Sequence, residues 1–337
     1  MSNRKALVLF SGGLDSTLAI KVLVEQGLEV IGITFITPFT NPSTEGAKEL
    51  NIPLKIVHLG EEYLEMVKSP KYGYGKNMNP CIDCKIFMLK KAKKYMEEIG
   101  TEFIATGEVL GERPMSQRKD TLWIIERDSD LKGLLLRPLS AKLLPPTIAE
   151  EKGLVEREKL FDIQGRSRKP QLSLVAQFGI TTYETPAGGC LLTDPIFSRK
   201  LKDLFTCLKQ ARLVDDTSTR RACLNDIQLL NVGRHFRLSS KTKIIVGRDD
   251  EENKELLKLA QGDDTLFKVV NFPGPITILR GEVTPEHLDL TARITARYSK
   301  AKEESIVAVE YWELTAFNKK ILSVLPIEDS ELASIRI

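Results

Sequence analysis

Apolar residues in the first half of the 337-residue chain fall into short runs separated by stretches of helical period. Residues 6–10 (ALVLF), 29–35 (EVIGITF), 55–59 (KIVHL) and 102–107 (EFIATG) read as buried strands. Residues 15–26, 43–51, 61–68 and 84–99 read as helices. Around the first of these, Leu14, Leu18, Val22 and Leu23 fall at helical spacing, and Gly27 follows its end. Strand–helix alternation predicts an α/β fold with a doubly wound parallel sheet. Such sheets bind ligands beyond the carboxyl ends of their strands. The loop 11–16, the pair Thr34 and Phe35, and Thr106-Gly107-Glu108 would all lie there.

After about residue 205 the pattern changes. A polar, charged stretch, 206–222, reads as a junction between a first domain, 1–205, and a second, smaller α+β domain, 223–337. The second domain carries short strand-like runs (HFRLS, KIIVG, LFKVVNF, ITILRG), a helix over 284–297 and a last strand in SIVAVEYWEL. No internal repeat or low-complexity tract interrupts either half.

The net charge is only +3, so any nucleic-acid partner must meet a local patch rather than the whole surface. No run approaches the length of a membrane span, and the first apolar run is too short for a signal peptide, which predicts a cytoplasmic protein. There are five cysteines, at 81, 84, 190, 207 and 223. An odd number in a reducing compartment favours metal or redox chemistry over a disulfide framework.

The first strand runs into Phe10, Ser11, Gly12, Gly13, Leu14, Asp15 and Ser16. A strand, a glycine turn and a helix N-terminus make an anion site, because backbone N–H groups and the helix dipole both face the ligand. A capped tight turn has the same local sequence requirements. No Lys lies in the turn, so this is not the common phosphate loop. SGGLDS after the first strand of an α/β pattern resembles the PP-loop of the ATP pyrophosphatase superfamily. That resemblance implies binding of ATP, transfer of AMP to a substrate oxygen, and release of pyrophosphate.

NPCIDCK sets Cys81 and Cys84 in C-x2-C spacing at a helix start, where the dipole favours thiolates. Structural thiols, a redox dithiol and half of a metal site all fit this spacing. A tetrahedral zinc is poorly served, since the three histidines (His58, His235, His287) are dispersed. Cys190 follows two glycines in ETPAGGCLLTDP, a shaped loop. Three thiolates with one open position suit an iron–sulfur cluster, and a small buried residue is the plainer role for Cys190. Cys207 falls on an apolar helical face and reads as core, and Cys223 receives no role.

Together the PP-loop, NPCIDCK, FIATGE and the Gly-Gly-Cys loop resemble the tRNA thiolation branch of the superfamily. The resemblance implies adenylation of a tRNA uridine and replacement of its oxygen by sulfur, most readily giving 4-thiouridine. It implies a 4Fe–4S cluster on Cys81, Cys84 and Cys190. In the other type within the branch, Cys84 or Cys190 would carry a persulfide and the product would be 2-thiouridine. Ser11, Gly12, Gly13 and Ser16 would hold the ATP phosphates, with Phe10, Thr34, Phe35, Thr106 and Gly107 around the nucleotide. Asp15 would hold Mg²⁺ or orient pyrophosphate. Sulfide or a sulfur-donor protein would be a partner, and a homodimer is compatible with this reading. The basic stretch GRSRKPQ (165–171) is placed to meet phosphate beside the site.

In the second half, VGR before an acidic-apolar helix, GDD before a strand, PG before another and YSKA before the last resemble the RNA-binding domain of NFACT ribosome-quality-control proteins. The segment PGPITI departs from that pattern. Arg234, Arg237, Lys243, Arg248 and Lys300 belong to a basic group also containing Lys241, Arg280, Arg293 and Arg297, with His235 and Phe236 among them. Such residues suit phosphates and unpaired bases. An RNA-binding factor with a relict nucleotide site is the rival reading from outside enzymology.

Overall fold

A computed structural model describes residues 4–184, 190–214, 223–315 and 318–337. The chain forms two compact units, Met1–Asp194 and Pro195–Ile337.

In the first unit five strands form one sheet: β1 (Lys5–Leu9), β2 (Glu29–Ile36), β3 (Leu54–His58), β4 (Ile104–Thr106) and β5 (Leu135–Leu136). Their order is β3-β2-β1-β4-β5, and every pairing is parallel. Central Val8 stands between Gly32 and Ala105. The helices are α1 (Leu14–Val24), α2 (Glu45–Glu49), α3 (Glu61–Lys68), α4 (Cys81–Glu98), α5 (Lys119–Asp128), α6 (Ile148–Glu151) and α7 (Lys169–Phe178). Alternation along β1 divides the core. Ala6 and Val8 join Leu14, Leu18 and Val22 of α1 and Leu174 of α7 in one apolar cluster. Leu7 and Leu9 are buried on the other side of the pleat, toward which α4 packs with Ile86 and Leu89 buried. The predicted doubly wound sheet is therefore present. The chain leaves β1 toward β2 and β3 and returns to β4, so β1 lies at the switch point where ligands of such sheets bind.

The second unit is built on an antiparallel sheet in the order β11-β10-β8-β9-β7-β6. Its strands are β6 (Arg234–Arg237), β7 (Lys243–Val246), β8 (Thr265–Val269), β9 (Thr277–Arg280), β10 (Val307–Glu313) and β11 (Lys320–Val324). Its helices are α8 (Pro195–Val214), α9 (Leu224–Leu230), α10 (Asp250–Leu259), α11 (Pro285–Arg297) and α12 (Asp329–Ile335). Ile244, Phe267 and Leu279 face one cluster, shared with Ala292, Ile294 and Ala296 of α11. Their neighbours Ile245, Leu266 and Ile278 face another, shared with Leu229 of α9 and Leu256 of α10. Both faces of this sheet are thus covered.

Two sequence expectations need correction. The strand in SIVAVEYWEL is not the last, because β11 pairs antiparallel with it at the sheet edge. The first unit ends ahead of α8, whereas the expected domain boundary fell inside that helix. Lys200 of α8 donates to the carbonyls of Leu230 and Gly233, and Asp203 of α8 pairs with Arg237, which ties the helix to the second unit. Most of the expected junction, 215–222, lies outside the described residues. Among the described residues no helix is long and apolar enough to cross a membrane.

Candidate phosphate loop and thiol site

The loop after β1 is closed by its own serines. Ser16 Oγ donates to the Gly13 carbonyl at 2.8 Å and lies 3.2 Å from Ser11 Oγ, and Ser11 N–H donates to Ser16 Oγ at 3.3 Å. Gly12 has φ +78°, and a Cβ there would stand 2.7 Å from the Ser43 carbonyl oxygen. A glycine is needed on both counts. Residues 12 and 13 are backed by Glu184, whose N–H donates to the Gly12 carbonyl and whose carboxylate accepts from Ser43 N–H. The first turn of α1 is then the N-terminal end of a helix eleven residues long, where backbone N–H groups and the helix dipole favour an anion.

Gly107, just after β4, fits against that turn from the neighbouring strand. A Cβ there would come within 2.4 Å of the Asp15 carbonyl and 2.5 Å of Ser16 N. Phe10, Thr34, Phe35 and Thr106 are buried beneath the loop, and Thr34 Oγ1 donates to the Phe10 carbonyl. Asp15 sits above them with Oδ1 buried and lacking a hydrogen-bond partner among the described residues. Burial and Glu112 push its carboxyl up to about 6, against the opposing pull of Arg168, Gln171 and Arg113. An orphaned, half-buried carboxylate oxygen beside a helix N-terminus is a fitting ligand for a hard cation such as Mg²⁺. Arg168 and Gln171 come from the basic stretch that the sequence placed near phosphate. Arg168 also pairs with Glu112 at 3.0 Å.

The thiols gather around Tyr63 of α3. Its hydroxyl lies 3.0 Å from Cys84 Sγ, and its ring packs between Phe39 and Phe87. Burial, then Cys84, raises the Tyr63 phenol far above its usual range, with Cys190 and Cys81 adding to the shift. Cys81 Sγ donates to Asn79 Oδ1 at 3.1 Å. Helix α4 starts at Cys81, directly after Pro80, so both thiols stand in its first turn. Buried Asp83 between them accepts from the N–H groups of Lys71 and Tyr72, which fixes the preceding loop. Cys190 is tied to the same region. Leu191 N–H donates to the Phe39 carbonyl, and Asn77 Nδ2 to the Thr193 carbonyl. Gly188 and Gly189 lie outside the described residues.

All three thiols are held protonated by burial. For Cys190 the value is about 11, with Cys84 and Cys81 contributing after burial. Among the described residues no three His, Cys, Asp or Glu side chains form a ligand set for a metal ion. The donor chemistry that does converge is three thiols that feel one another's charge across Tyr63. Thiolates are the ligand type of iron–sulfur clusters. Cys207 is buried in α8, as expected of core, and Cys223 caps α9 in a capping box with Asp226.

One buried network joins the loop to the thiols. Glu108, next to Gly107, accepts from Thr106 Oγ1 and from Arg137 Nε at 3.1 Å each, and lies 3.7 Å from Lys85 Nζ, next to Cys84. Burial alone would raise the Glu108 carboxyl, but Lys85 and Arg137 outweigh it and hold it below the usual range. Arg113 favours the charged forms of both Asp15 and Cys81. Tyr63, Arg113 and Arg137 escaped the sequence reading. Only the glutamate of FIATGE signalled this network.

In the second unit, Arg248 and Lys300 are exposed. Arg248 pairs with Glu252, Arg237 pairs with Asp203, and Arg234 stacks over Tyr298 at 4.7 Å. Lys243 is only 8% exposed. Arg280 is buried with Asp264 and Asp226, and Phe236 and His235 lie in the core. The expected mixture of cations and stacking rings on one outer surface is therefore not formed by these two rings.

A PP-loop α/β unit followed by a separate antiparallel α+β unit defines the class of molecule. Residues 1–142 match the family model described as Thiamine biosynthesis protein (ThiI), and residues 233–336 match that of the NFACT protein RNA binding domain. The first region is thus similar to ThiI and the second to the NFACT RNA binding domain, in agreement with the resemblances read from the sequence. It is 35% identical over 121 residues to the tRNA-specific 2-thiouridylase MnmA of Syntrophotalea carbinolica, a match covering 31% of this chain and 34% of the relative. It is 30% identical over 148 residues to the probable tRNA sulfurtransferase of Thermococcus kodakarensis, covering 40% and 36%. The chain therefore spans about a third of the length of these curated relatives. A solved 4-thiouridine synthetase–RNA complex with bound ATP aligns at TM-score 0.32 and 22% identity, over 52% of this chain and 51% of that one.

Proposed function

We propose that the protein is an ATP-dependent tRNA sulfurtransferase that converts a uridine to 4-thiouridine. The observation that supports this reading is that Glu108, beside Gly107, lies 3.7 Å from Lys85, beside Cys84, and that Arg113 acts on both Asp15 and Cys81. The ThiI and NFACT matches support it.

The backbone of Ser11, Gly12 and Gly13 and the start of α1 bind the ATP phosphates, and the Ser11 and Ser16 hydroxyls orient them. Asp15, as carboxylate, holds Mg²⁺ against the pyrophosphate. The uracil oxygen attacks the α-phosphorus, and the bond to the bridging oxygen of pyrophosphate breaks. This step needs positioning and charge neutralisation more than covalent help. Sulfide then adds to the activated carbon, and AMP departs with the former uracil oxygen. Held by Cys81, Cys84 and Cys190, a 4Fe–4S cluster would supply an iron that the protein leaves open to sulfide. Tyr63 orients the Cys84 sulfur by its hydrogen bond, and Lys85 and Arg113 lower the cost of thiolate charge. The second unit brings in tRNA through its solvent-facing cations, Arg248 and Lys300, flanked by Arg234 and Arg237. Sulfide itself or a donor protein delivers the sulfur.

The test of the activation step is pyrophosphate release from Mg-ATP with unmodified tRNA. The wild type should release it only when tRNA is present, and Asp15→Ala should not. Release that ignores tRNA, or tRNA binding with no ATP turnover, contradicts the proposal and favours a binding factor.

A further inference from the structure

The second unit contains a cation that its own structure leaves without a counter-charge. Lys243 of β7 is more than nine-tenths buried. Among the described residues its ammonium makes no ion pair and no hydrogen bond. Each neighbouring cation is provided for: Arg237 by Asp203, Arg280 by Asp264 and Asp226, and Lys200 by the carbonyls of Leu230 and Gly233. Lys243 lines a cavity of about 40 Å³ together with Arg237, Arg280, Lys241, Asp226 and Cys207. That space exceeds what a single water needs. Burial, aggravated by Arg237 and Lys200, pulls the Lys243 amine down to about 7, even though Asp203 and Asp226 act in the other direction. Left to itself the amine would be only about half protonated at neutral pH. An anion in the cavity would keep it charged.

We infer that this cavity, between α8, α9 and β7, is a binding site for one tetrahedral oxyanion, phosphate or a phosphomonoester, held by Lys243 and Lys241 next to the Asp203-paired Arg237. Two ammonium groups line a pocket of this size beside the Asp203-paired guanidinium of Arg237 and opposite Asp226, and charge-assisted bonds from ammonium to phosphate oxygens are strong. The site lies wholly in the second unit and does not depend on the thiolation chemistry. The free anion and the monophosphate end of an RNA strand share the recognised chemistry.

The experiment is calorimetric titration of the full chain with inorganic phosphate at fixed ionic strength, with ATP saturating the PP-loop. The wild type should bind one equivalent saturably. Lys243→Met should weaken this by about tenfold or more, the effect of losing one charged hydrogen bond. Lys243→Arg should keep most of it. Equal titrations for wild type and Lys243→Met, or no saturable binding to the wild type, would overturn the site. Should Lys243→Met fail to fold, Lys241→Gln decides: weakened binding supports the site and unchanged binding rejects it. Competition by a short oligoribonucleotide with a 5′-monophosphate, but not by its 5′-hydroxyl counterpart, assigns the anion to an RNA end. Competition by neither assigns it to the free anion.

Discussion

The two sheets of this protein treat buried charge in opposite ways. In the parallel sheet the strands themselves are apolar, and the polar groups collect just past their carboxyl ends: Asp15 after β1, Glu108 after β4, and the thiols of α4 beside them. Asp15 Oδ1 and Glu108 Oε1 are buried without a hydrogen-bond partner among the described residues, and burial raises all three thiols. In the antiparallel sheet charged residues stand within the strands. Arg280 of β9 is fully answered by a bidentate pair with Asp264 and further bonds to Asp226 and Asn225. Incomplete satisfaction at strand ends marks a site awaiting a ligand, whereas complete satisfaction inside a sheet marks architecture. Among the described residues of the second sheet, His235 Nδ1 and Thr277 Oγ1 are buried without a partner, and Lys243 is the buried cation with no ion pair, for which reason it carries the further proposal.

The largest effect should come from the close approach of β4 to the loop. Gly107→Val places side-chain atoms where the Asp15 carbonyl now lies, and turnover should fall by about a hundredfold or more, as for an ångström-scale misplacement. Gly60→Ala is the control, because nothing lies within 4 Å of a Cβ there, and it should be near normal. Next come the thiols. Cys81→Ser, Cys84→Ser and Cys190→Ser should each remove iron and activity from anaerobically reconstituted protein, while Cys207→Ala should keep both. Full iron retention in any of the first three would break the three-ligand account.

Arg280→Met should leave the thiolation chemistry intact but destabilise the second unit by about 3–5 kcal/mol, since Asp264 and Asp226 lose their counter-charge. Denaturant unfolding followed by Trp312 fluorescence would read this. The smallest effects are those of pH. With its carboxyl raised to about 6, Asp15 is protonated below that value, so pyrophosphate release should rise as pH increases through 6. Lys243, lowered to about 7 from 10.5, binds fewer protons folded than unfolded between those values. In the absence of phosphate, stability of the second unit should therefore rise with pH across that window, and Lys243→Met should flatten the rise.

Much of the first unit was legible because strands β1, β2 and β4 are largely buried on both faces and α3 is amphipathic. Four of its strands and the phosphate loop follow from short apolar runs and one glycine turn. Strand β5 was missed because two leucines make no pattern. Helix α4 begins ahead of the expected residue 84, at Cys81, because the glycine- and proline-rich stretch before it ends abruptly at Pro80. Tyr63 and Arg137 reach the site from 21 and 29 residues away from their partners, a distance no local motif spans. In the second unit the alternation of side chains gave no outward face, since helices cover both sides of the sheet. Lys243, Arg280, His235 and Phe236 therefore looked like surface residues, and only the structure separates them from Arg248 and Lys300.

The central claim is that loop and thiols serve one sulfur transfer to tRNA. Its most direct test is nucleoside mass spectrometry of unmodified tRNA incubated anaerobically with iron–sulfur-reconstituted protein, Mg-ATP and sulfide, beside an iron-free control. The account predicts 4-thiouridine only when both iron and ATP are present. A thiouridine formed without iron, or tRNA that is bound but left unmodified, would contradict it.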